Sequence, residues 1–310
     1  MTETPLPIPQ ASQRRYRLLI GPDGLVRPFW RAMAFVLLAE PLIRVVQGVL
    51  LTIFQNQPVL LSPFLQSAGF SVAWLLLSWL LLVTLDKRSF RALGLWFYGG
   101  WLPEFLIGIG IGAGMICLVV AIEWAFGAIH YDGLTVNLAD ALRNAGKLAG
   151  LLFVAAAAEE ILFRGYGFQR FVDSIGSIAA VAGFSVLFGA AHLANPNATW
   201  LSTINTILAG VLLAVAYLKT RALWLPIGLH WAWNYFMTAI LSLPVSGFQF
   251  GEKLFRLETT GPVWLSGGSY GPEGSVVLTV VATAAIIALA LSKRITPSPA
   301  MELELKSSLR

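Results

Sequence analysis

The sequence predicts an all-α, polytopic membrane bundle of about eight transmembrane helices, with both termini cytoplasmic. Three observations lead there. Apolar residues make up 57% of the 310-residue chain and charged residues only 12%, about half of the roughly 25% charged share of a soluble domain. Apolar runs recur along the whole length, and a run of about 20 residues crosses the hydrocarbon layer. Lys and Arg gather at the ends of those runs, where they set topology.

The runs delimit spans at 29–56, 61–85, 101–126, 146–171, 175–193, 199–218, 222–243 and 275–292. Three regions follow: a cytoplasmic polar arm at 1–28, the transmembrane bundle at 29–293, and a charged cytoplasmic tail at 294–310. The arm has prolines and arginines but no hydrophobic h-region, so no cleavable signal peptide is expected. With a cytoplasmic N-terminus, sixteen of the 21 Lys and Arg residues fall on inside segments, Arg164 included. Arg143, Lys147, Lys253 and Arg256 fall outside, and Arg44 lies in the first span. This bias sets the expected orientation, in a plasma membrane by default. A net charge of +5 distributed in this way forms no basic, aromatic-interleaved face, so nucleic acid is not an expected partner.

In the first span, Glu40 and Arg44 are four apart beside Pro41 and read as a structural pair. The third span contains Gly108, Gly110, Gly112 and Gly114, small residues at spacing four that let membrane helices approach closely. Helix packing within the chain is the expected use. Glu104 and Glu123 fall near the two ends of this span, where an interface position costs little. Cys117, the single cysteine, rules out a disulfide framework and reads as a small packing residue. The longest connection, 244–274, is rich in Gly, Pro and Ser and reads as an irregular outer loop. Its length would suit a cap over the bundle, with Trp264 and Tyr270 as its large side chains.

The fourth span carries Glu159, Glu160 and Arg164 after a run of alanines. Ionisable groups inside a bilayer are costly, and two adjacent carboxylates are hard to explain as packing. They point about 100° apart on a helix, so they should have separate partners. Glu160 and Arg164 have the i, i+4 order of an ion pair, which leaves Glu159 facing elsewhere. A carboxylate held in a low-dielectric cavity suits a general base. His192 follows in the fifth span, and His230 and Asn234 share a helix face in the seventh. His130 lies in an outer loop and reads as solvated. From residue types alone, a catalytic site and a proton or ion path fit equally.

Glu159-Glu160-x-x-x-Arg164, Phe188-x-x-x-His192 and His230-x-x-x-Asn234, in that order on successive apolar helices, resemble the three motifs of the CAAX prenyl protease type II family. This family is also called CPBP or Abi and includes bacteriocin-processing and immunity proteins. The core resemblance covers roughly 145–240. It implies an intramembrane endopeptidase acting on a membrane-associated or lipidated protein or peptide. Glu159 corresponds to the family's essential glutamate, with His192, His230 and Asn234 around the same cavity and Glu160 and Arg164 in support. The expected mechanism has Glu159, helped by His192, activate a water, while His230 and Asn234 hydrogen-bond the oxyanion. No cofactor is favoured. The alternative is a zinc held by Glu159, His192 and His230, against which Asn234 counts as a poor zinc ligand.

The rival classes are a non-proteolytic membrane scaffold or immunity factor and, less favoured, a proton-coupled transporter. A transporter should show inverted repeats or paired broken helices, and none is visible. Straight helices of the expected lengths would separate His192 from His230. A tilted, shortened or broken helix near Pro226 would be needed to bring them together.

Overall fold

The computed structural model describes residues 18–54 and 61–307. Residues 1–17 of the predicted arm, 55–60 at the end of the first span and 308–310 of the tail lie outside the described residues. The helices are α1 (Pro28–Phe54), α2 (Leu61–Leu81), α3 (Trp101–Ala125), α4 (Leu138–Arg164), α5 (Tyr166–Ile175), α6 (Ser177–Ala191), α7 (Trp200–Thr220), α8 (Trp224–Tyr235), α9 (Val276–Leu291) and α10 (Pro299–Ser307). A π-turn prolongs α2 over Leu82–Asp86, and another prolongs α8 over Phe236–Ile240. The chain is an all-α membrane bundle. Among the described residues, four segments are long and apolar enough to cross a bilayer, namely Pro28–Phe54, Pro63–Asp86, Trp101–Ala125 and Trp200–Thr220. α6 and α9 are apolar but shorter.

Two local predictions need correction. The fourth span was expected to run over 146–171, but α4 starts at Leu138, where the Asn137 side chain accepts from the Asp140 amide at 3.0 Å. It stops at Arg164 because Gly165, with ψ −143°, leaves the helical region. α5 continues as a separate short helix. The loop at 244–274 is not wholly irregular. Its strand β2 (Phe255–Thr259) pairs antiparallel with β1 (Ile129–Leu134), joining Ile129 to Thr259 and Tyr131 to Leu257. Both strands are short and largely polar, which hides them from an apolar-periodicity reading.

The connections sort into two ends. At the basic end, the buried Asp86 accepts from Arg31 Nη1 at 2.9 Å, from Arg170 Nη1 at 2.7 Å and from the Tyr166 hydroxyl. This ties α1, the end of α2 and α5 together. Gln169 donates to the Leu93 carbonyl at 3.1 Å, the Leu223 amide to the Gly94 carbonyl at 3.0 Å, and Ser89 to Glu304 of the tail at 3.1 Å. At the opposite end, beside the ribbon, Asn195 donates to the Ser246 carbonyl at 3.1 Å and Asn144 to the Glu252 carbonyl at 2.8 Å. The Thr260 amide reaches the Ala128 carbonyl at 3.0 Å. Polar backbone groups leaving the helices are therefore satisfied at both ends.

The glycines of α3 have the use predicted for them. α3 and α8 run parallel and make the most extensive helix contact in the bundle. A Cβ on Gly108 would stand 2.3 Å from the Leu225 carbonyl oxygen, and one on Gly112 2.2 Å from that of Leu229. Gly110 and Gly114 face open space. The Gly112→Ala variant should therefore lose about 1–3 kcal/mol of stability through overpacking. Gly110→Ala should melt like wild type, and thermal unfolding in detergent compares the two.

The two α3 carboxylates, near the two ends of the helix, are buried within the protein. Glu104 is buried and accepts from the Tyr98 hydroxyl at 2.5 Å. Glu123 is also fully buried. Both end turns of α3 are covered by other parts of the protein, which the pattern of one helix cannot reveal. Cys117 is exposed on α3 and not packed inside. The Glu40–Arg44 pair forms on the exposed side of α1.

Candidate active site

A cavity of about 440 Å³ opens inside the bundle. Glu159 of α4, His192 at the end of α6, and His230 and Asn234 of α8 all line it. Most of the remaining wall is apolar, including Leu212, Leu213 and Leu229. The four side chains named from the motifs thus meet in one space, while Glu160 and Arg164 stand behind its wall.

The two carboxylates of α4 diverge as helix geometry requires. Glu160 is fully buried, and its Oε1 accepts from Arg164 Nη1 at 3.0 Å. Arg164 is also buried and spends Nη2 on the Gly210 carbonyl at 3.0 Å. The Glu159 side chain is 38% exposed and faces the cavity. Its Oε2 receives no hydrogen bond among the described residues. The carboxylates do share one neighbour, contrary to the expectation of separate partners. His230 Nδ1 lies 2.8 Å from Glu160 Oε1, and its Nε2 lies 3.9 Å from Glu159 Oε2. A carboxylate accepts, so Nδ1 carries a proton, and Nε2 is the ring atom turned toward Glu159.

His192 follows the last residue of α6, with Nδ1 2.7 Å from the Phe188 carbonyl oxygen. A carbonyl can only accept, so Nδ1 carries a proton and any lone pair of the ring is on Nε2. The Phe188 ring ties the site together. Its centroid is 4.7 Å from the His192 ring and 6.2 Å from the His230 ring, and the Arg164 guanidinium carbon lies 4.7 Å over it. Both histidines reach the Phe188 ring and line one cavity, and not because of a break at Pro226. That proline sits in the first turn of α8, where its missing N–H costs no helical bond. The expectation assumed a turn near residue 175, whereas α4 already ends at Arg164.

The wall contains polar groups that the motifs do not name. Glu273 Oε1 accepts from Trp233 Nε1 at 3.0 Å, and Oε2 accepts from the Ser246 hydroxyl at 2.8 Å. Asn205 of α7 donates to the carbonyls of Glu273 and Ser275 at 2.9 and 2.8 Å. Segments at 245–250 and 273 are thereby fastened over the cavity. Tyr270 of the same loop is buried, while Trp264 is exposed. Burial, followed by the nearby Glu273 carboxylate, pushes the Tyr270 phenol above its ordinary pKa. An asparagine inside a predicted span was a visible signal for Asn205. A glutamate in a Gly- and Pro-rich loop was no signal at all.

Among the described residues, no three His, Cys, Asp or Glu side chains form a group that could hold a metal. Glu159, His192 and His230 share the cavity without converging as ligands.

No curated protein and no solved structure matches the chain. Residues 141–236 match a family model described as type II CAAX prenyl endopeptidase, Rce1-like. The matched segment contains α6, α7 and α8, nearly all of α4, and every residue of the three motifs. Over that segment the chain is similar to the CAAX prenyl protease type II family, also called CPBP, in agreement with the resemblance carried by the three motifs.

Proposed function

We propose that the protein hydrolyses a peptide bond of a membrane-associated or lipidated protein or peptide, using water activated by Glu159. The match of residues 141–236 to the type II CAAX prenyl endopeptidase model supports a CAAX-type intramembrane protease. Glu159 takes a proton from water, and the hydroxide adds to the scissile carbonyl carbon. The Nε2–H of protonated His230 and the Asn234 amide donate to the oxyanion, each donor worth about 3–4 kcal/mol in such sites. Collapse breaks the C–N bond, and the proton held by Glu159 passes to the leaving amine. His192 orients the water through the lone pair on Nε2. Glu160 holds His230 by Nδ1 so that Nε2 faces the reaction, and Arg164 balances the Glu160 charge.

The observation that supports this reading best is the division of labour within one dipeptide. Glu160 is committed to Arg164 and His230, whereas Glu159 presents its carboxylate to the cavity. The test is cleavage of a membrane-peptide library by purified protein, with and without a chelator and beside Glu159→Ala. Cleavage that survives the chelator and disappears in Glu159→Ala is the expected result. Full cleavage by Glu159→Ala would remove the glutamate from the mechanism. Loss of cleavage to the chelator would reinstate a metal.

A further inference from the structure

The cavity is not symmetric along the bundle. At the ribbon end its wall includes Asn195, Ser246, Phe248 and Glu273, all from connections between α6 and α7 or between α8 and α9. No lining residue comes from 86–100, 165–176, 219–224 or 292–307, the segments that meet at the basic end. The floor lies near the middle of the bundle, where Arg164 bonds the carbonyl of Gly210, the midpoint of α7. Below it, the basic end is closed by the Asp86 network and by packing of Tyr98, Ala222, Trp224 and Met301. At the ribbon end the wall reaches the surface, since Ala191 and Phe248 line the cavity and are exposed. Among the described residues, the exposed part of the cavity wall lies at the ribbon end, and the mouth faces that way.

The two ends differ in charge. Lys87, Arg88, Arg91, Arg221, Lys293 and Arg294 lie at the floor end, where Lys and Arg dominate. At the mouth end the cations Arg143, Lys147, Lys253 and Arg256 are matched by Asp132, Asp140, Glu252 and Glu258. Basic segments stay cytoplasmic during insertion. The mouth then opens on the opposite side of the membrane.

We infer that the site is served from the extracytoplasmic face. Its substrate is a membrane-anchored polypeptide whose apolar segment lies in the outer leaflet, cut between that face and mid-bilayer. The access half rests only on cavity geometry and charge. The substrate half rests on the protease reading given above. A peptide end presented in the cytoplasm would have to cross the closed basic end to reach Glu159. An apolar segment entering from outside meets Phe248 and Phe250 first and Leu212 and Leu213 deeper in.

Two experiments separate the halves. In a Cys117→Ala background, Phe248→Cys or Lys293→Cys is exposed to a membrane-impermeant maleimide in intact cells. At least tenfold greater labelling at position 248 than at 293 is expected, with the order reversed in inverted vesicles. Labelling of position 293 alone from outside overturns the access half, whatever the enzyme does. For the substrate half, the best peptide from the library is fused to one transmembrane anchor, on either its extracytoplasmic or its cytoplasmic side, and co-expressed with the protein. Cutting of the extracytoplasmic fusion alone supports the inference. Cutting of the cytoplasmic fusion alone overturns it. Outside labelling with neither fusion cut, and no cleavage by purified protein, discards the substrate half together with the protease reading and leaves the access half standing.

Discussion

Glu159→Gln is expected to reduce kcat about 10²–10⁴-fold, the range a positioned general base supplies, while leaving the fold intact. Glutamine keeps the shape of the side chain but cannot take a proton from water. The fold should tolerate the change because Glu159 Oε2 receives no protein hydrogen bond and the side chain is 38% exposed. KM should move little, since the binding walls are untouched. Single-turnover kinetics and a melting curve on one preparation check both statements. A variant that keeps kcat would transfer the base to His192. A variant that unfolds would mean that Glu159 is part of the scaffold.

Arg164→Met should have the opposite profile, with stability lost first. Arg164 and Glu160 have side-chain exposures of 1% and 0%. Removing the cation strips the buried Glu160 carboxylate of its guanidinium partner, leaving it the His230 ring, and leaves the Gly210 carbonyl without its donor. Breaking such a pair from one side costs about 3–5 kcal/mol. The double variant Glu160→Gln with Arg164→Met removes both charges and should regain most of that loss. It should stay inactive, because His230 then has a neutral partner at Nδ1. Melting temperatures of the three proteins decide the matter. If the double variant is no more stable than Arg164→Met, the uncompensated charge is not the source of the loss.

Those residues were legible in the sequence because polar groups inside apolar runs stand out. Glu159, Glu160, His192, His230 and Asn234 were found through the cost of placing them in a membrane, and the i, i+4 pairing of Glu160 with Arg164 followed from helix period alone. The close approach expected of the α3 glycines was likewise local, although the partner helix was not. What stayed hidden depends on three dimensions. His230 bonds Glu160 across seventy positions of chain, and Asp86 collects Arg31 and Arg170 from two distant segments. Glu273 sits among the glycines of a loop, where a carboxylate is ordinary until Trp233 and Ser246 are seen to hold it. Gly165 ends α4 without a proline or a polar cluster to announce the break.

The glycine seam between α3 and α8 also divides the protein in time. Backbone lies against backbone at Gly108 and Gly112, leaving no side chain there to rotate. The α8 backbone that carries His230 and Asn234 is therefore held against α3. On the proposed reaction, the freedom to admit and release a peptide is left to the loop above the cavity. Amides of α8 near Leu229 should be among the slowest in the chain to exchange with deuterium, and those around Phe248 among the faster. A peptide lodged in the cavity should slow exchange around Phe248 and leave α8 as it was.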